Sequence, residues 1–273
     1  MAPLPSTLGA ELRAAAPEKF LTALFAPAAP REAMMALGAF EAATARAMLA
    51  TQALAGLGRL AFWRDAIATA GDGRPLSHPV ADALRRAVVA HRLPASLFET
   101  HLAAREAMLA AGAFPDLAAL RAEARDLGAP ILQLGCLVLG AAPPSGTEAA
   151  GEAVGLVALL REAIPLARAG RLALPESLCA AAGFGVQSLA EGRNPAAVAG
   201  VVETMAGAAR RAIGQGAGRV PRPVLPAFLP IVVARGVLGA LERAAFDPAA
   251  AALWQPGTAT RLAVLWAAVS GRL

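Results

Sequence analysis

Apolar residues recur at three- and four-residue spacing through almost the whole of this chain, which constrains it to fold from helices. Alanine and leucine dominate and β-branched runs are short, so intrinsic propensity agrees with the periodicity. Prolines and glycines mark the expected breaks. Pro30 opens a predicted helix from Arg31 to about Ala53, and Gly56 and Gly58 loosen the chain before a second from Leu60 to Ala70, which GDGRP ends. Pro79 starts a helix to about His91, and Pro94 another to about Ala111. Pro115 and Asp116 open a segment to Leu127. Gly128 and Pro130 are expected to break it ahead of ILQLGCLVLG, whose apolar character all round predicts a buried central helix. After the loop APPSGT, Glu148 to Arg168 forms a long helix that Pro165 should kink or end. Asn194-Pro195 opens a helix to about Gln215, and two more run from Ile231 to Ala245 and from Thr258 to Gly271. No internal repeat or domain-length linker interrupts the pattern. The expectation is one all-α domain over residues 1–273.

Composition narrows the function classes. Hydrophobic residues make up 57% and charged residues 16% of 273 positions, enough apolar surface to bury a substantial core. The longest uncharged stretch, Leu127 to Thr147, contains Pro130 and Pro143-Pro144, so no convincing membrane span emerges. The first residues lack the basic start and apolar core of a signal peptide, which predicts a cytoplasmic protein. The net charge of +5 comes from arginine, since Lys19 is the only lysine. Without a Lys/Arg-rich run or any Tyr, the chain lacks the stacking platforms of single-strand binders, and nucleic acid is not expected as a partner. Cys136 and Cys179 sit among apolar residues without CxxC spacing and read as buried, reduced thiols. His78, His91 and His101 have no zinc-ligand spacing, and no Ser lies in a Gly-x-Ser-x-Gly context. GQGAGR, Gly214 to Arg219, follows a helix rather than a strand and reads as a loop.

The segment LREAIPLARAGRLALP, Leu160 to Pro175, resembles the late active-site helix of the squalene/phytoene synthase family: Arg161, Arg168, Gly170, Arg171, Leu174 and Pro175 stand in the family pattern. KFLTALFAPAAPREAMMALGAFEAATARA is similar to the family's opening, LGRLAFWRDAI to a Leu-Gly, Trp-Arg-Asp-Ala segment of one branch, and AEARDLGAPILQLG to its central helix. ALERAAFDP and RLAVLWAAVSGR resemble the closing helices of that branch, a degenerate group that resembles a mitochondrial complex I assembly factor. The resemblance implies an isoprenoid-synthase-like helical bundle around a central apolar cavity. It also locates two aspartate pairs, which in the family hold Mg²⁺ against the departing diphosphate. Here Ala45 and Leu49 occupy the first pair of positions, with Arg46 alongside, and Glu162 and Leu166 the second; Gly38 and Ala173 stand where Tyr is usual.

The first aspartate motif therefore offers no carboxylate and the second one, so no metal or other cofactor is expected. Glu41, one turn before Ala45, and Glu162 are weak candidate ligands, with Asp65 and Asp126 as strays. Arg46, Arg64, Arg161, Arg168 and Arg171 are candidates for holding a diphosphate or a lipid head group, because guanidinium forks match phosphate oxygens. Arg168 and Arg171 also suit a helix C-terminus, whose dipole favours cations. Trp63, Arg64 and Asp65 read as a packing and ion-pair unit at the cavity mouth. Two functions remain open. One is a catalytically degenerate protein that binds a lipid, an isoprenoid or a partner, and aids assembly of a membrane respiratory complex by contacting its subunits. The other is an active, Mg²⁺-dependent prenyl-diphosphate transferase with a rearranged acidic site. Peripheral contact with the inner face of a membrane is compatible with the arginine-bearing, apolar composition.

Overall fold

A computed structural model describes residues 7–73, 76–216, 218, 220–250, 253–254 and 257–273. Arg74 and Pro75 of the GDGRP segment that follows the second predicted helix, and Ala217 and Arg219 of the glycine-rich loop, lie outside them. In chain order the helices are α1 (Thr7–Ala15), α2 (Pro17–Ala23), α3 (Arg31–Ala47), α4 (Ala53–Ala68), α5 (Pro79–His91), α6 (Ala95–Ala111) and α7 (Leu117–Val138). They continue with α8 (Thr147–Arg168), α9 (Glu176–Ala181), α10 (Val186–Ala190), α11 (Pro195–Gly216), α12 (Leu225–Phe228), α13 (Pro230–Arg243) and α14 (Thr258–Ser270). Two short parallel strands, β1 (Ala113–Phe114) and β2 (Leu172–Pro175), tie the end of α6 to the exit of α8. The expected all-α class is what the chain adopts.

Helices α7 and α8 form the axis, with α11 and α13 against α8 and α3 and α6 against α7. Asp116 caps α7, its carboxylate accepting from the Ala119 amide at 2.8 Å. Contrary to the sequence expectation, α7 runs unbroken through Gly128 and Pro130. Both residues are buried, and the packing of α8 outweighs the hydrogen bond that the proline ring removes. Pro165 likewise leaves α8 intact to Arg168.

The first predicted break also moves. Helix α3 stops at Ala47, and α4 already contains Gly56 and Gly58. Gly56 is a close-approach residue, since a Cβ there would lie 2.9 Å from the Ala47 carbonyl oxygen. The buried Arg171 guanidinium fixes the turn between α3 and α4 by donating to the Met48 and Ala50 carbonyls at 2.9 and 2.8 Å. Both cysteines are buried, and burial pushes their thiols up to about 11 for Cys136 and about 12 for Cys179.

A buried histidine joins α3, α6 and α7. His101 Nδ1 donates to the Leu127 carbonyl at 2.8 Å, which leaves Nε2 to accept from the Thr44 hydroxyl, also at 2.8 Å. Burial, reinforced by the charge of Arg105, lowers its pKa from 6.5 to about 4. The unfolded chain therefore binds one more proton than the folded one between those values. This contribution to stability is complete above pH 6.5 and is lost as the pH falls towards 4. Denaturant titrations at pH 7 and 4.5 are expected to show the wild type losing about 2.5 kcal/mol more than His101→Gln.

Candidate functional site

Five segments surround a cavity of about 160 Å³. From α3 and the residues just beyond it, Glu41, Ala45, Arg46 and Leu49 face the cavity, brought to one side by four-residue spacing. From α8, Ala158, Arg161, Glu162 and Pro165 face it across the bundle. The start of α2 adds Glu18 and Lys19, α6 adds Arg105, and Trp254 closes the rim. Three of the four family aspartate positions thus line a single space. The fourth does not: Leu166 is fully buried in the core.

Every carboxylate facing this space has a cation of its own. Lys19 Nζ lies 2.5 Å from Glu41, Arg105 Nη1 3.1 Å from Glu162, and Arg161 Nη1 2.9 Å from Glu18. Burial pushes the Glu41 carboxyl up, but the charge and hydrogen bond of Lys19, helped by the Arg105 charge, hold it below the ordinary value. The Arg161 guanidinium also lies 5.2 Å from the centre of the Trp254 ring, a cation–π contact, and Nη2 reaches the Trp254 carbonyl at 3.4 Å. With Lys19, Arg46, Arg105 and Arg161 against Glu18, Glu41 and Glu162, the lining carries four positive and three negative charges. Arg46 is exposed and has no ion-pair or hydrogen-bond partner among the described residues.

This donor set does not fit Mg²⁺. The ion needs near-octahedral oxygen ligation, usually with carboxylates free to coordinate it, and here the three carboxylates are neutralised from within. Among the described residues no group of three or more His, Cys, Asp or Glu side chains is placed to hold a metal ion. The space is also small. Glu18 and Arg161 separate it from neighbouring cavities of about 120 and 50 Å³, and none of the three reaches the roughly 300 Å³ at which small-molecule pockets begin. Three buried polar atoms on its walls, Glu18 Oε2, Arg105 Nε and Arg161 Nε, have no hydrogen-bond partner among the described residues.

The other arginine candidates lie elsewhere. Arg64 is held by Glu99 and Glu106 of α6 at 2.8 and 2.7 Å, so its partner is not the exposed Asp65, and the Trp63–Arg64–Asp65 unit is not at the cavity mouth. Trp63 is buried and packs edge-on against Phe40 at 5.5 Å, a core role. Arg168 is exposed on the last turn of α8, outside the cavity. Arg171 serves the α3 exit already described. Asp126 is exposed and does not line the cavity. At Gly38 a Cβ would already touch Leu12 and Lys19 at 3.4 Å, so α1 and α2 occupy the direction a larger side chain would take. Glu18, Lys19, Arg105 and Trp254 were not legible as site residues in the sequence. Only one signal pointed to them: Arg105 follows His101 by one turn on a face of α6 that also buries Phe98, Leu102 and Leu109.

The squalene/phytoene synthase profile matches residues 12–265. The chain belongs to the squalene/phytoene synthase family. It is similar to the NADH dehydrogenase (ubiquinone) complex I assembly factor 6 of Rattus norvegicus, 28% identical over 237 residues that cover 84% of this chain and 71% of the relative. Among solved structures, a dehydrosqualene synthase in complex with ligand superimposes with a TM-score of 0.72 at 14% identity, covering 97% of this chain and 94% of the other. The squalene synthase HpnC from Alicyclobacillus acidocaldarius gives 0.70 at 16% identity, covering 88% and 94%. At these identities the structures establish a shared fold. Within the squalene/phytoene synthase family, this member has the helical bundle, and the cavity lined by Ala45, Leu49 and Glu162 holds its three carboxylates in internal ion pairs.

Proposed function

We propose that this protein is a catalytically silent member of the squalene/phytoene synthase family that acts as a binding scaffold and aids assembly of a membrane respiratory complex. The observation that carries the reading is the pairing of Glu41, one turn before Ala45, with Lys19 and of Glu162, the one carboxylate at a family aspartate position, with Arg105. A leaving diphosphate needs charge stabilisation that grows in the transition state. Buried arginines already committed to carboxylates supply little of it, and the cavity is too small to seat two prenyl chains. The similarity to a complex I assembly factor supports the assembly role.

With farnesyl or geranylgeranyl diphosphate and Mg²⁺, the purified protein is expected to release no pyrophosphate above the protein-free rate; turnover at an enzyme-like rate would sink the silent-scaffold reading. One observation favours the competing prenyltransferase reading, namely that Glu41 and Glu162 share a cavity, and this assay decides between the two. The assembly role is tested separately: deleting the gene should lower the amount of assembled respiratory NADH dehydrogenase, and re-expression should restore it. An unchanged level of the complex would remove that part of the proposal.

A further inference from the structure

Helix α14 is oriented against the usual logic of an amphipathic helix. Its small residues Thr260, Val264 and Ala267 point towards the body, and Thr260 nests over Gly236 of α13, where a Cβ would come within 2.3 Å of the Thr260 hydroxyl oxygen. Its large residues point away. Leu262, Leu265, Trp266 and Val269 are 59, 48, 70 and 67% exposed. They follow i, i+3, i+4, i+7 spacing, so they form one stripe along the outer face. A continuous exposed apolar stripe of this kind marks a docking surface rather than scattered surface residues.

Charge identifies the occupant. From Arg222 to Leu273 the chain carries five arginines (222, 235, 243, 261 and 272) against two acids, Glu242 and Asp247, and Glu242 already pairs with Arg210 at 2.9 Å. No Asp or Glu occurs between Thr258 and Leu273. At the C-terminal end of the helix, Arg222 Nη2 reaches the Ser270 carbonyl at 3.4 Å, which places its guanidinium at the end of the helix that Arg272 follows. A two-fold contact with a second copy would bring two such cationic faces together, which disfavours self-association. An anionic lipid surface complements them, each arginine near it contributing about 1 kcal/mol, and tryptophan favours the head-group boundary. Thirteen residues at about 1.5 Å each make a helix of about 20 Å, short of the ~30 Å hydrocarbon core, so α14 lies on a bilayer rather than across it. Among the described residues no single helix is long and apolar enough to span one.

We propose that α14 docks the protein on an anionic membrane surface through Leu262, Leu265, Trp266 and Val269, with Arg222, Arg261 and Arg272 facing the head groups. The first turn of α14, at Ala259 and Thr260, lines the 120 Å³ cavity that shares Glu18 and Arg161 with the main one. Docking would therefore set the candidate site next to the lipid interface. The inference does not depend on whether that site is catalytically silent.

The test is co-sedimentation of the full chain with phosphatidylcholine vesicles, with and without phosphatidylglycerol, at low and high salt. The wild type should pellet with phosphatidylglycerol vesicles at low salt, less at high salt, and little with phosphatidylcholine alone. Leu262→Ser with Trp266→Ser should weaken binding about tenfold or more, because two apolar side chains no longer enter the interface. Both positions are exposed, and an unchanged circular dichroism spectrum and melting midpoint will verify the fold. A vesicle-induced blue shift of tryptophan emission should disappear in Trp266→Phe. Equal pelleting of wild type and double variant would overturn the proposal, as would no pelleting on any vesicle. A wild-type dimer that the double variant dissolves, without vesicle binding, would assign the stripe to a second copy instead.

Discussion

Gly151→Ala is expected to cost about 3 kcal/mol or more of stability, although alanine is normally the better helix former by about 1 kcal/mol. A Cβ at Gly151 would lie 2.2 Å from the Ala129 backbone nitrogen. One at Gly128 would lie 2.0 Å from the Gly151 carbonyl oxygen, and one at Gly155 2.0 Å from the Ala124 carbonyl oxygen. Backbone stands on both sides of each contact, so no side chain can swing aside and α7 and α8 must separate. Because α8 carries Arg161 and Glu162 and α7 receives the His101 bond, the separation would also open the ion-paired site. Gly151→Ala combined with Gly155→Ala should fail to fold. Gly200→Ala, on α11 with nothing within 4 Å, should instead gain up to about 1 kcal/mol. Urea denaturation of the three variants checks the prediction; a Gly151→Ala protein as stable as the wild type would show that the two helices are not held this close.

Glu162→Ala should destabilise by about 3 kcal/mol, and for an electrostatic reason. The Arg105 side chain is only 3% exposed, and among the described residues its Nε has no partner and Glu162 supplies its one ion pair. Removing that carboxylate leaves a buried, uncompensated cation. Replacing both partners, Arg105→Met with Glu162→Leu, should return stability to within about 1 kcal/mol of the wild type, since hydrophobic pairs of similar volume commonly match buried ion pairs. Denaturant midpoints of the single and double variants provide the cycle. Strict additivity would mean that the two residues do not interact as described. The alanine variant is therefore a poor probe of function, because loss of fold would imitate loss of role. Glu162→Gln keeps an acceptor for Arg105 and removes only the charge. Under the proposed silent-scaffold reading it should leave the cellular role nearly intact, and complete loss with the fold preserved would count against that reading.

Much of the fold was legible because it is local. Helical periodicity placed α5, α6, α11, α13 and α14 to within a few residues, since each begins or ends at a proline, glycine or capping position. The errors fell where packing competes with local rules. Gly128 and Pro130 read as a break but lie inside α7, and Gly56 and Gly58 read as a loop but lie inside α4. A Cβ added at Gly128 would lie 2.0 Å from the Gly151 carbonyl oxygen and one at Gly56 2.9 Å from that of Ala47, so these two glycines reflect tertiary contact rather than a turn, whereas a Cβ at Gly58 would meet nothing within 4 Å.

The site divides the same way. The family resemblance identified Ala45, Leu49 and Glu162 as positions around one space, and the four-residue step from Ala45 to Leu49 explains only why those two share a side. Their chemistry was decided only by the tertiary structure. Glu18 meets Arg161 across 143 residues of chain and Arg105 meets Glu162 across 57, distances over which no periodicity carries information. The sequence by itself determined that this chain would be a helical bundle without its family's aspartate pairs. Packing decided that Lys19, Arg105 and Arg161 would neutralise the remaining carboxylates, and that α14 would turn its large apolar residues outward, because both depend on which surfaces meet once the helices have formed.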